Sequence, residues 1–379
     1  MPAVILMITF FVYPVLQLLP KSVDDSSINR FLVHSFLIFD QWDQEQLPDE
    51  ALYEAMFLDI TSSDKRLLYG SSRRMLLAVA GWRALILKSY REFPKIESGP
   101  YKEAMIAIDK RWGDIRYWRS LGTMTEEITA GYFLKAVDLQ LDGKRNIIAK
   151  PENRQIYLML WGRTLKISLL VTLCCVLLGY PLAWLMAHST QTVRGLILMC
   201  VLLPFTSSVL VSAFTGMILL QEQGMVNDTL VALGVLDDGN RLDMMYNFTG
   251  SVIVLTHSLL PFSVLPMYSV MKRISPNQMR AAQGLGASPP RAFMRVYLPL
   301  SMPGVSGGAV LIFIMAFGNY VVPEYVGGRV GRMIAGMVSG WDGGSAAIGI
   351  MMLVIILTIL WIYHRITGSA GLKISPPKY

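Results

Sequence analysis

The sequence predicts an all-α polytopic membrane protein with six transmembrane helices and a large helical domain inserted between the first and second. Three observations lead there. Of 379 residues, 53% are hydrophobic and only 16% charged, where a soluble domain carries about 25% charged. Mean hydropathy is +0.45. Six stretches lack Asp, Glu, Lys and Arg for at least the roughly 20 residues that a helix needs to cross a bilayer core. The composition excludes a disordered chain, a collagen-like chain and a disulfide scaffold. Cys174, Cys175 and Cys200 lie in apolar runs, and the four histidines show no metal-ligand spacing, so no metal site is predicted.

The first stretch, residues 1–20, ends at Lys21. It lacks a basic leader and a small-residue cleavage site, and Tyr13-Pro14 interrupts it, so it reads as a true span rather than a signal peptide. The missing basic tail suggests a start placed slightly late. Residues 21–155 form the expected inserted domain. Between 21 and 163 the chain holds 21 Lys/Arg and 20 Asp/Glu, a soluble balance without bias. From Tyr101, apolar residues recur at Ala104, Met105, Ile108, Trp112 and Ile115, one face of a helix. A second helix is expected around 73–92, and a third from Thr125, whose side chain would cap Glu126-Glu127-Ile128. Strand alternation is not evident. The domain is expected to be a structural cap or a docking face for an outside partner. Alternatives are a ligand sensor, or helices lying on the membrane with Trp112, Tyr117 and Trp118 at the interface.

The remaining stretches are 167–187, 195–221, 244–271, 296–323 and 343–363, within a core predicted over 156–379. Lys and Arg favour cytoplasmic loops. Segments 188–194, 272–295 and 364–379 hold nine basic residues and no acidic one, whereas 222–243 and 324–342 hold three basic and seven acidic. Both termini are therefore expected in the cytoplasm and residues 21–155 outside. The net charge of +7 is thereby mostly a topology signal, and nucleic acid is not an expected partner.

The loop within 272–302 is the informative one. Pro276 and Ala281-Ala282 predict a short helix beginning near Ser275 and ended by Gly286 as a C-terminal cap. Pro289-Pro290 prevents simple continuation, and a second helix runs through Val296 and Leu298 into the fifth span. A small-residue face with basic flanks suits insertion into a groove on a cytoplasmic partner. A phosphate-binding reading of Gly284-Leu285-Gly286 fails, since no buried strand precedes it and a third glycine is absent.

This loop resembles the EAA signature of the permease subunits of binding-protein-dependent ABC importers: Glu-Ala-Ala, three residues, Gly, nine residues, Ile, one residue, Leu-Pro. Ala281, Ala282, Gly286, Leu298 and Pro299 match, Val296 stands for the Ile, and Arg280 occupies the usual Glu position. Leu178–Ala183, Leu260-Pro261-Phe262 and Phe317–Glu324 look most like the spermidine/putrescine permease group, which includes opine importers. The resemblance runs from about residue 155 to the end, weakly includes 7–20, and leaves the insert unmatched.

The resemblance implies a transport subunit of the bacterial inner membrane, not an enzyme. It would pair with a second permease (a heterodimer is favoured, because two inserts would crowd the outer face) and with an extracytoplasmic solute-binding protein. Two partner ATPases would bind ATP and Mg and engage Arg280, Ala281, Ala282, Gly286, Val296, Leu298 and Pro299; this chain would carry no cofactor. A polyamine or related organic cation is the expected substrate, with an opine or amino-acid conjugate as alternative. Polar groups at membrane depth are candidates for the path: His257, midway along the fourth span, and Asn319, Tyr320 and Glu324 near the outer end of the fifth. Ordinary packing roles compete for each. A membrane sensor would need a cytoplasmic output module, and a secondary transporter more buried ionisable groups.

Overall fold

The computed structural model describes residues 2–79, 81–141, 146–340 and 342–371. Lys373 and Lys378 of the basic tail lie outside them. Six described helices are long and apolar enough to cross a membrane: Val4–Lys21, Tyr157–His188, Val209–Ala232, Phe248–Met271, Pro289–Phe317 and Gly343–Thr367. They are called the first to sixth spans below. The chain divides into two compact units, Met1–Leu158 with Gly340–Ile350, and Met159–Ser339 with Met351–Tyr379.

Residues 195–221, predicted as one span, are divided. The helix Gln191–Thr206 stops just past Pro204, and a new helix begins at Val209. Ser208 Oγ caps it, accepting the Val211 N–H at 3.2 Å. The third span continues past a bend at 221–224 into the helix Met225–Ala232 and so takes in Glu222 and Asp228.

The first unit is built of short helices around an aromatic core in which Trp82, Trp112, Trp118, Tyr53, Phe31 and Phe93 are fully buried. Each polar handle in that core is engaged, as burial requires. Trp82 Nε1 donates to Ser120 Oγ at 2.8 Å, Trp112 Nε1 to Ser89 Oγ at 3.0 Å and Trp118 Nε1 to the Trp112 carbonyl at 2.9 Å. Trp112, Tyr117 and Trp118 are thus core residues rather than a membrane-facing set. The helix predicted from Tyr101 stops at Ile108, because the Asp109 carboxylate accepts the Arg111 N–H and starts a separate turn. The helix expected over 73–92 splits into Lys65–Ala78 and Trp82–Glu92 at Gly81, whose φ of 102° is open to glycine. No helix begins at Thr125; Gly131–Ala136 is the next one, followed by a two-stranded antiparallel hairpin, Leu139–Leu141 with Ile147–Ala149. Two buried carboxylates hold the unit together. Asp59 accepts the His34 and Ser35 N–H groups at 2.9 and 2.8 Å, capping Val33–Phe39. Asp25 takes two 2.6 Å bonds from Arg74 and one of 2.7 Å from the Tyr132 hydroxyl.

In the second unit the fourth span is the axis. Lipid supplies no hydrophobic drive between helices, so close backbone approach through small residues does the work. A Cβ on Gly304 would lie 3.0 Å from the Met267 Cα and the Pro266 carbonyl, and one on Gly308 would lie 3.2 Å from the Ser263 carbonyl. Across the opposite contact, Ser263 Oγ donates to the Cys175 carbonyl of the second span at 2.9 Å. A Cβ on Gly179 would collide with that same hydroxyl.

Gly308→Leu is expected to destabilise the protein by about 1–3 kcal/mol through overpacking. Gly307→Leu, whose Cβ meets only the Tyr363 hydroxyl at 3.5 Å, is expected to cost less. Thermal unfolding midpoints in detergent would order the two. Asp25→Asn, which leaves the Arg74 guanidinium buried beside a neutral group, is expected to cost about 3–5 kcal/mol, and a midpoint equal to wild type would contradict the pairing.

Candidate functional site: the loop between the fourth and fifth spans

The helix Pro276–Gly284 starts where the sequence places it. Ser275 is its N-cap, with Oγ accepting the Asn277 N–H at 3.4 Å, and Pro276 fills the first position, where a missing N–H goes unnoticed. Its end is a paired cap. The Gly286 N–H bonds the Gln283 carbonyl at 2.9 Å, and the Ala287 N–H bonds the Ala282 carbonyl at 3.1 Å. That double bond pattern is the Schellman arrangement, which needs a left-handed residue at the turn, and Gly286 has φ 89°. A Cβ there would meet nothing within 4 Å. The glycine therefore serves backbone geometry, not close packing within this chain.

No residue of the loop helix is buried. Arg280, Ala281 and Gly286 are exposed and Ala282 is half-buried. Arg280 makes no ion pair among the described residues. Leu285, held outward by the cap, is 90% exposed, and Met294 is 60% exposed. Both apolar side chains were missed in the sequence; the available signal was a large apolar residue between two glycines in an otherwise polar loop. The base of the loop is anchored. Ile274, Met279 and Phe293 pack on a buried cluster of Ala183, Met186, Met267, Met271 and Tyr297. After Pro289-Pro290 the chain passes through a wide turn, Phe293–Tyr297, directly into the helix from Leu298. Phe293 and Tyr297 stack at 5.6 Å, Tyr297 lies 5.6 Å from His188, and the Tyr180 hydroxyl is 3.0 Å from Ser301 Oγ. Of the motif's closing residues, Val296 and Leu298 are half-buried in this joint and Pro299 is exposed.

The four path candidates are not brought to one place. His257 lines a cavity of about 420 Å³ with Pro204, Ser207, Ser212, Thr215 and Val254, and Asn319, Tyr320 and Glu324 are not among its lining residues. Beside His257, the Thr256 and Ser258 hydroxyls are buried without a partner among the described residues. Asn319 Oδ1 accepts the Val322 N–H at 3.2 Å and so starts the short helix Val321–Tyr325. The Glu324 carboxylate is engaged by Arg332 at 2.6 Å rather than left open, while the Tyr320 ring is half-exposed.

Residues 179–369 match the family described as the binding-protein-dependent transport system inner membrane component. The spermidine/putrescine transport system permease protein PotB of Salmonella typhimurium (strain SL1344) is 32% identical over 227 residues, 58% of this chain and 78% of that protein. PotB of Escherichia coli (strain K12) is 31% identical over 226 residues, covering 58% and 81%. The inner membrane ABC transporter permease protein YdcU of the same E. coli strain is 30% identical over 264 residues, covering 66% and 81%.

A Cβ in the left-handed region costs about 1–2 kcal/mol. Gly286→Ala is therefore expected to speed amide hydrogen exchange at 286 and 287 by about fivefold or more, with Gly286→Asn closer to wild type. Unchanged exchange in the alanine variant would contradict the cap.

Proposed function

Because the chain belongs to the family of inner-membrane components of binding-protein-dependent transport systems, we propose that it forms the path of an ATP-driven importer for a polyamine or related organic cation. The substrate class comes from the similarity to the PotB proteins, named for spermidine and putrescine. The observation that carries the coupling role is the exposed, capped loop helix on an anchored base. A leucine that is 90% exposed on a rigid turn is costly in water unless a partner covers it. A groove on a cytoplasmic ATPase is the partner that fits, with Ala281 and Ala282 permitting close approach. Two such ATPases, each holding its own ATP and Mg, would serve one pair of permeases, and a heterodimer is favoured. The fourth and fifth spans flank the loop and pack through Gly304 and Gly308, so a displacement of the loop reaches both at once.

In this reading the basic segments 188–194 and 272–295 face the cytoplasm with both termini, and residues 21–155 lie outside, where a solute-binding protein docks. His257 lines the solute path in the cavity beside the fourth span. Tyr320, at the outer end of the fifth, offers a cation an aromatic face. Asn319 is occupied as a cap and Glu324 by Arg332, so their part is to hold that outer loop in shape.

The test uses Gly286→Asp and Leu285→Glu in cells, with uptake of radiolabelled putrescine as readout. Neither substitution meets a neighbour in this chain at Gly286 or loses burial at Leu285, so normal membrane abundance is expected. Uptake is expected to fall at least tenfold, and the ATPase to be lost on co-purification. Normal uptake by both variants at normal abundance would sink the coupling assignment.

A further inference from the structure

The first unit contains a cavity separate in its lining from the loop and from the His257 cavity. Its volume is about 240 Å³, and its walls come from the helices Lys65–Ala78, Ile115–Leu121 and Gly131–Ala136 and the strand Leu139–Leu141. Five lining side chains are cationic, Arg74, Arg116, Arg119, Lys135 and Lys150, and no carboxylate lines it among the described residues.

Three of these cations are answered from behind the wall. Arg74 is held by Asp25 and Arg116 by Asp114, each pair at 2.6 Å. Lys150 Nζ donates to the Lys135 carbonyl at 2.9 Å and lies 3.9 Å from Asp138. The other two have no carboxylate within ion-pair distance among the described residues. Arg119 Nε donates to the neutral Gln44 carbonyl at 2.6 Å. Lys135 Nζ has no hydrogen bond or ion pair among the described residues, and it lies 5.8 Å from the centroid of the Tyr157 ring. Burial pushes the Lys135 ammonium down to about 8, against the pull of Asp342, and Lys150 and Arg74 push it the same way as burial. A half-buried ammonium without a partner is an unfavourable arrangement that an anion corrects.

We propose that this cavity binds a small organic carboxylate, with its acidic end on Lys135 and its short apolar body against Ala78, Val79 and Leu139. Arg119 also lines the cavity and is exposed, and an exposed cation concentrates anions. At about 30 Å³ per water, the 240 Å³ hold about eight waters, room for a ligand of about that many heavy atoms. Inorganic phosphate would meet the charge but leave the apolar wall wet. The wall also reaches the start of the sixth span. Tyr132 packs so closely on Gly343 that a Cβ there would lie 2.5 Å from the ring, and Asp342 shares the field of Lys135. A bound carboxylate therefore competes with Asp342 for Lys135 at that helix start.

The experiment is calorimetric titration of the full-length chain in detergent with sodium benzoate, and with benzamide and inorganic phosphate as controls. Benzoate is expected to bind at one site per chain, with benzamide and phosphate each at least tenfold weaker. Lys135→Met and Arg119→Gln are each expected to weaken benzoate at least tenfold with thermal midpoints unchanged, and Lys135→Arg to retain it. Absence of saturable benzoate binding, or equal binding by both variants, would overturn the site. Benzamide binding as tightly as benzoate would overturn the charge recognition, and phosphate binding as tightly would overturn the organic ligand.

Discussion

The approach of the fourth and fifth spans through glycine is the contact on which the rest of the membrane unit depends. Gly304 and Gly308 bring the fifth span to within van der Waals distance of the backbone at Ser263, Pro266 and Met267. Contact at that depth lets a helix carry two prolines, Pro261 and Pro266, without losing its run from Phe248 to Met271. Each proline removes one intrahelical hydrogen bond, and neighbouring helices are what make such losses tolerable in lipid. The Ser263 hydroxyl adds a directed bond to the second span on the other side. The three helices thus share one seam, and the loop between the fourth and fifth inherits its position from it.

That inheritance explains why the loop is rigid at its base and bare at its tip. Ile274, Met279, Phe293 and Tyr297 sink into the cluster at the inner end of the seam, while the cap at Gly286 turns Leu285 away from every neighbour. A loop that only joined two helices would gain by burying that leucine or replacing it with a polar residue. The motif's residues fall into two places. Ala281, Ala282 and Gly286 lie on the bare helix and its cap, whereas Val296, Leu298 and Pro299 lie at the join to the fifth span, the first two half-buried.

How much of this was legible depended on whether the signal was local. The loop helix was readable almost to the residue, because Ser275, Pro276 and Gly286 each act on their own backbone neighbours. The spans were readable from gaps in charge, which reflect the lipid rather than any fold. The same reading was blind to the break at Ser207-Ser208, where nothing charged marks the end of a helix. Within the first unit, periodicity carried the Tyr101 helix through Asp109, since an apolar stripe does not record that a carboxylate has capped a new turn. Thr125 offered a plausible cap, but the chain there pairs Ile128 with Asp24 in an isolated bridge instead. At the outer end of the fifth span, Glu324 looked open because its partner Arg332 lies on the far side of a short helix and a turn. Pairings made by tertiary folding leave no mark in spacing.

The same distinction bears on the inserted domain, whose balanced charges looked featureless when counted. Their arrangement is not. Carboxylates at Asp25, Asp59 and Asp138 are buried and spent on backbone N–H groups and on Arg74, Tyr132, His34 and Lys150: Asp138 accepts the Ile156 and Leu158 N–H groups at 3.1 and 2.7 Å, fixing the entry to the second span. Spending acids internally leaves Lys135 and Arg119 without a carboxylate at ion-pair distance among the described residues. The first turns of the sixth span, to Ile350, group with this domain as well. Chain segments that begin the second and sixth spans are therefore both tied into the insert, by Asp138 in one case and by the Tyr132 contact on Gly343 in the other. Both ties are made within the first unit itself, by a buried carboxylate on backbone N–H groups in one case and by a ring packed on a glycine in the other.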